Sequence, residues 1–142
     1  MMRLYLAHPF ASRFTIRPWE LVVENKFDIH LFNPFYDAPD RTDVEAIDAG
    51  KKHRYDVNPA ELVENDLDIL TNRCDGLVGV IDGSTSYGTI MEIAWAHNCE
   101  MPVFLIVTNG EEAHPWLVYH ATQIFTSFTD FEKWLEERNA HA

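Results

Sequence analysis

A chain of 142 residues with 46% hydrophobic content can bury one substantial core and is too short to need a second domain. Its 11 Lys and Arg stand against 23 Asp and Glu, a formal charge of −12, which argues against a nucleic-acid polymer or an anionic membrane as partner. A small anionic ligand stays open, because it responds to local field rather than net charge.

The N-terminal ten residues have a short apolar reach before His8 and Pro9, which predicts a first strand over residues 3–7 rather than a signal peptide. Residues 14–25 follow as a helix, with Pro18 near its first turn and Trp19, Leu21, Val22 and Val23 as its apolar face. Residues 28–32 alternate as a second strand, stopped by Asn33 and Pro34. From residue 35 to residue 56 the chain is charged and turn-forming, which predicts a long loop, either a solvated flap or a lid over a site. Residues 59–70 predict a helix with Leu62, Val63, Leu67 and Leu70 on one face and Asp66 beside that stripe.

The run 76–81, Gly-Leu-Val-Gly-Val-Ile, is short and continuously apolar, as in a strand buried on both faces of a parallel sheet. The polar segment 82–86 is then the loop at its carboxyl end, and Ile90, Ile93, Ala94 and His97 recur at helical spacing beyond it. Strand four spans 102–107, a loop 109–114, a short helix 116–120, an edge strand 123–126 and an amphipathic last helix 130–138, with Phe131, Trp134 and Leu135 inward. Alternating strands and helices imply an α/β domain, a flavodoxin-like three-layer sandwich with a five-stranded parallel sheet covering residues 1–142. Cys74 and Cys99 form neither a metal-ligand spacing nor a disulfide framework, and are expected as buried thiols in a reducing cytoplasm. No run approaches the length of a membrane span.

Ligands of open α/β sheets bind where strand ends meet helix N-termini. Glu92 falls there, in an otherwise apolar helix entrance. Backbone N–H groups at that end favour an ionised carboxylate, whereas apolar neighbours raise its pKa, and residue order leaves the balance open. Alone, Glu92 reads equally as a first-turn acid complementing the helix dipole. Three segments should converge beside it: Tyr5 with residues 8–13, Asp66, and residues 84–92. A tyrosine, two carboxylates and a helix N-terminus suit displacement at an anomeric carbon, which means cleavage of a glycosidic or N-glycosidic bond.

Tyr5 in the first strand, Glu64-Asn65-Asp66-Leu67, Asp75 opening strand three, and Ser86-Tyr87-Gly88-Thr89-Ile90-Met91-Glu92-Ile93-Ala94 together resemble the nucleoside 2-deoxyribosyltransferase family. The resemblance implies that Glu92 attacks C1′ of a 2′-deoxynucleoside to leave a covalent deoxyribosyl enzyme, with Tyr5 positioning Glu92 and Asp66 beside the base. Gly88 falls within the binding motif. The sugar then passes to a second base or to water, with no cofactor and no metal. Many transferases of the family have aspartate where Ser86 stands, whereas related 5′-monophosphate N-hydrolases have serine. A hydroxyl can donate to a phosphate that a carboxylate would repel.

Ser86 therefore points toward a nucleotide, although Asp82 could serve in the aspartate's place and serine is also an ordinary N-cap. His8, Ser12 and Arg13 are further phosphate donors, although His8-Pro9 is not the small-residue loop of those hydrolases, and Arg13 reads equally as a surface residue. Family members complete their sites from a neighbouring subunit, here through residues 113–120, which makes His114 and His120 candidates across the interface of a homodimer or higher homo-oligomer, although the aromatic segment also suits a core-facing turn. The partner is thus a small-molecule nucleoside or nucleotide. A nucleotide-binding sensor without turnover, or a glycohydrolase of a dinucleotide such as NAD, are the competing readings.

Overall fold

In the computed structural model, residues 1–37, 58–84 and 86–140 are described. Strand β1 spans Met2–Ala7 and leads through a 3-10 turn at Phe10–Ser12 into α1, Arg13–Lys26. Then follow β2 (Ile29–Phe32), α2 (Pro34–Asp37), α3 (Pro59–Arg73), β3 (Gly76–Ile81), α4 (Tyr87–Asn98), β4 (Val103–Val107), α5 (Pro115–His120), β5 (Gln123–Phe125) and α6 (Phe128–Ala140). All four strand pairings are parallel. The sheet order is β2-β1-β3-β4-β5, the flavodoxin-like arrangement expected. The charged loop over residues 35–56 begins as helix α2, and its continuation lies outside the described residues.

Side chains of a strand alternate between faces, so each strand feeds two cores. Leu4, Leu6, Val78 and Val80 meet Ile16 and Val23 of α1 and Phe131 and Leu135 of α6 on one side. Tyr5, Ala7 and Leu77 meet Ile69 and Leu70 of α3 and Ile93 and Ala96 of α4 on the other. The parity of β1 thus sends Tyr5 toward the same helices that carry Asp66 and Glu92. Helix α4 lies close over β3. A Cβ added to Gly79 would stand 3.1 Å from both Ile93 Cδ1 and Leu105 Cδ2, so glycine permits this approach.

Several local expectations need correction. Helix α1 starts at Arg13 and carries Pro18 in its interior rather than near its first turn. Its buried stripe is Ile16, Glu20 and Val23, which turns Leu21 and Val22 to solvent. Val63 and Ile90 are likewise exposed, because α3 and α4 present narrower faces to the sheet than their apolar content suggests. Cys99 is exposed, not buried, since it caps α4 past its buried stripe. Cys74 is partly buried, which pushes its thiol up to about 11. Among the described residues no helix is long and apolar enough to cross a membrane.

Candidate active site

The carboxyl ends of β1 and β3 and the first turns of α4 meet at one crevice. Tyr5 is completely buried, and its hydroxyl donates a short hydrogen bond to Glu92 Oε2. The two residues lie 87 positions apart in the chain. Burial is the main reason the Tyr5 hydroxyl is held well above its ordinary pKa, and the negative charges of Glu92 and Asp66 push in the same direction. Tyr5 therefore stays a donor. Burial also lifts the Glu92 carboxyl to about 8; the Tyr5 bond opposes that rise and the Asp66 charge adds to it. Desolvation wins over the helix dipole because Glu92 lies in the second turn of α4, its carboxylate turned toward the sheet rather than toward the exposed N–H groups.

Around this pair the loops are tied together. Ser12 donates a short hydrogen bond to Asp82 Oδ2, which joins the turn after β1 to the loop after β3. The Ser84 backbone N–H donates to Asp82 Oδ1 at 3.0 Å. These bonds hold the Asp82 carboxyl below the usual range against the upward push of its partial burial. Ser86 caps α4, accepting from Thr89 N at 3.2 Å and donating to Thr89 Oγ1 at 2.7 Å. A cavity of about 220 Å³ opens beyond that cap, with Pro9, Gly83, Ser84, Ser86, Thr89 and Asn109 among its lining. Tyr5, Asp66 and Glu92 are not among its described lining residues.

This architecture is shared with solved structures. The 2-deoxyribosyltransferase of Bacillus psychrosaccharolyticus superposes with a TM-score of 0.68 at 18% identity, over 92% of this chain and 90% of that one. The chain has a 2-deoxyribosyltransferase-like fold. A conserved protein of Enterococcus faecalis V583 gives 0.67 at 14% identity, covering 97% of this chain and 99% of that one. The Clostridium botulinum CMP N-glycosidase BcmB gives 0.60 at 17% identity, covering 96% and 98%. No family model matches the sequence, and no curated protein matches it.

Within this deoxyribosyltransferase-like frame, Tyr5, Asp66 and Glu92 come together, and Asp82 and Ser86 lie on the adjoining loop. Gly88 is exposed, and a Cβ there would meet nothing within 4 Å, so packing does not require glycine. His8 is buried, its Nδ1 2.8 Å from the Pro9 carbonyl oxygen. Burial lowers its pKa, which favours the neutral ring, and the Nδ1 proton of that ring goes to the Pro9 carbonyl rather than to a phosphate. The Arg13 guanidinium donates to Phe10 O at 2.8 Å and covers the Phe10 ring at 3.7 Å. It braces the turn after β1.

His114 is exposed and caps α5, its Nδ1 accepting from Trp116 N at 3.2 Å. Its described hydrogen bonds run to Glu111, Trp116, Leu117 and Val118, within α5 and the turn before it. Asp75 exchanges bonds with the Arg3 backbone at the opposite end of the sheet. Sequence reasoning missed Phe32, whose ring stacks on Tyr5 with centroids 6.3 Å apart, and the buried Glu20 and Asn33. The available signal for Glu20 was an acid at helical spacing between Ile16 and Val23.

Proposed function

We propose that this chain cleaves the N-glycosidic bond of a 2′-deoxynucleoside or its 5′-monophosphate through a deoxyribosyl intermediate on Glu92. The observation that carries the reading is the hydrogen bond from buried Tyr5 to Glu92, with the charge of Asp66 acting on both. In its ionised form a Glu92 oxygen forms a bond to C1′ as the bond from C1′ to the base nitrogen breaks, its electron pair leaving with the base. Asp66, which the reading assigns to the base, takes up a proton from solvent and passes it to the base nitrogen, or orients that proton, so that the base leaves neutral. A second base, or water, then attacks C1′ and frees the Glu92 carboxylate. With water, its hydroxyl goes to the sugar and its proton leaves through Asp66; with a second base, the proton of the attacking nitrogen leaves by the same route.

The cavity beyond the α4 cap supports the 5′-monophosphate. Ser84, Ser86, Thr89 and Asn109 line it with hydroxyl and amide groups; with the Ser86 proton directed to Thr89 Oγ1, the Thr89 hydroxyl and the Asn109 amide are the donors left to it. That one structural neighbour is a CMP N-glycosidase favours a nucleotide over a nucleoside. The exposed aromatic side chains Trp116 and Tyr119 of α5 suit a homodimer in which His114 approaches the partner's site. The enzyme would act in the cytoplasm.

Incubating the protein with each deoxynucleoside and each monophosphate, with and without a second free base, and separating products by chromatography tests the reading. Exchange of bases marks a transferase, and free sugar or sugar phosphate marks a hydrolase. Glu92→Ala and Glu92→Gln should abolish base release in a folded protein, and near-normal release by the Gln variant sinks the mechanism.

One observation favours a second reading, binding without turnover. A carboxyl raised to about 8 is mostly protonated at neutral pH in the unliganded protein, and a protonated acid is no nucleophile. Calorimetry showing tight nucleotide binding with no base released over hours at pH 8.5 would favour that reading. Including NAD in the screen checks the glycohydrolase alternative.

A further inference from the structure

Glu20 is a carboxylate in the wrong place for a core residue. It lies on α1, is fully buried, and takes no part in the chemistry assigned to Glu92. An apolar side chain there would avoid the desolvation of a charge, so core packing does not explain it. Its hydrogen bonds do. Oε2 accepts from Asn33 Nδ2 at 3.1 Å, and Oε1 accepts from Arg17 Nη1 at 3.0 Å. Arg17 in turn covers the Tyr36 ring at 4.6 Å and reaches Asp37 Oδ1 at 3.9 Å.

Asn33, also fully buried, is the residue on which the whole exit from β2 turns. Its Oδ1 accepts from Phe35 N at 3.1 Å, and its own N–H donates to Asp37 Oδ2 at 2.9 Å. Its carbonyl accepts from the N–H groups of Tyr36 at 3.0 Å and Asp37 at 2.8 Å. Two rings flank this turn and face the crevice-forming strand. Phe32, immediately before Asn33, stacks on Tyr5. Phe35 packs on His8 at 4.9 Å and on Phe10 at 5.4 Å.

We infer that Glu20 is a positioning residue for the site: through Asn33 and Arg17 it holds the turn from Asn33 to Asp37, and so sets Phe32 against Tyr5 and Phe35 against His8. The inference rests on the N-glycosidase reading for its kinetic consequence. Its structural part stands without it. Glu20 touches no reacting atom, so its loss should loosen substrate binding more than it slows bond cleavage.

The test exploits the polarity of the Glu20–Asn33 bond. In Glu20→Gln an amide donor faces either Asn33 Nδ2 or Arg17, and one of those contacts is lost. In the double variant Glu20→Gln, Asn33→Asp the donor and acceptor change sides, the net charge of the pair is unchanged, and an aspartate oxygen still accepts from Phe35 N. For Glu20→Gln, amide exchange at Phe35, Tyr36 and Asp37 should quicken by about tenfold, and KM should rise about fivefold with kcat within about twofold of wild type. The double variant should restore both.

Exchange and KM within about twofold of wild type in the single variant, or no recovery in the double variant, overturn the inference. Should the single variant fail to fold, native exchange in the double variant upholds the positioning role and its failure to fold overturns it. Should the wild type release no base from any substrate, the N-glycosidase reading fails, and the exchange measurements on the two variants decide the role of Glu20 alone.

Discussion

Replacing Glu92 by Gln should remove a large pH dependence of stability. Burial is the leading cause that lifts the Glu92 carboxyl from 4.5 to about 8, and at about 1.4 kcal/mol per unit the fold disfavours its ionisation by roughly 4–5 kcal/mol. Because the folded value lies above the unfolded one, the native state keeps a proton that the unfolded chain has already released. The stabilisation is therefore fully present below about pH 4.5 and is lost progressively as pH rises toward 8. Glu20, raised to about 7 also chiefly by burial, contributes with the same sign over the lower part of that window. Subtracting the Glu92→Gln unfolding free energy from that of wild type at each pH cancels the Glu20 contribution.

That difference should fall by about 3.5 kcal/mol between pH 5 and pH 8 and flatten above about pH 9, measured by urea unfolding followed through tryptophan fluorescence. The same titration controls turnover, since the nucleophile must be ionised. The kcat/KM for base release should rise through about pH 8 to a plateau. A difference that stays flat with pH, or a kcat/KM limb centred near 4.5, refutes the account of Glu92 as a half-buried carboxyl with a raised pKa.

Tyr5→Phe removes the donor that favours the Glu92 carboxylate while keeping the ring against Phe32, so the kcat/KM limb should move to higher pH and base release at pH 7 should drop about tenfold. A pH–rate profile superposable on wild type would contradict it. Ser86→Asp retains a good N-cap, which predicts a Tm within a few degrees of wild type, but it sets a carboxylate at the cavity rim. KM for a monophosphate should then rise about tenfold with the parent nucleoside little affected, and steady-state kinetics on both substrates decide it. Gly79→Ala drives a methyl against Ile93 and Leu105 and should cost about 1–3 kcal/mol in urea unfolding. By lifting α4 it should also lower kcat.

The segment from Gly76 to Glu92 was legible because its signals are local. A short apolar run, a polar loop and a helical repeat follow one another, and each depends only on near neighbours. The flavodoxin-like class followed from the alternation of such units, and the strand order in the structure matches it. Faces of helices were read less well. Leu21, Val22, Val63 and Ile90 are apolar but exposed, since a helix lying on a sheet buries one narrow stripe whatever else it carries. Glu20 occupies such a stripe as an acid, and its reason lies in Asn33, 13 residues away on another element.

Tyr5, Asp66 and Glu92 were singled out from residue type and from where their segments fall in the alternation of strands and helices, and their roles came from the resemblance to the nucleoside 2-deoxyribosyltransferase family. Their contact was not contained in periodicity. It depends on the parity of β1, which turns Tyr5 and Ala7 toward α3 and α4, and on β3 pairing beside β1 so that α4 lies over Tyr5. The direction of the Glu92 shift belongs to the same level. Helix dipole and desolvation oppose each other at that position, and desolvation prevails because residues remote in the chain pack around the half-buried carboxylate and strip part of its hydration.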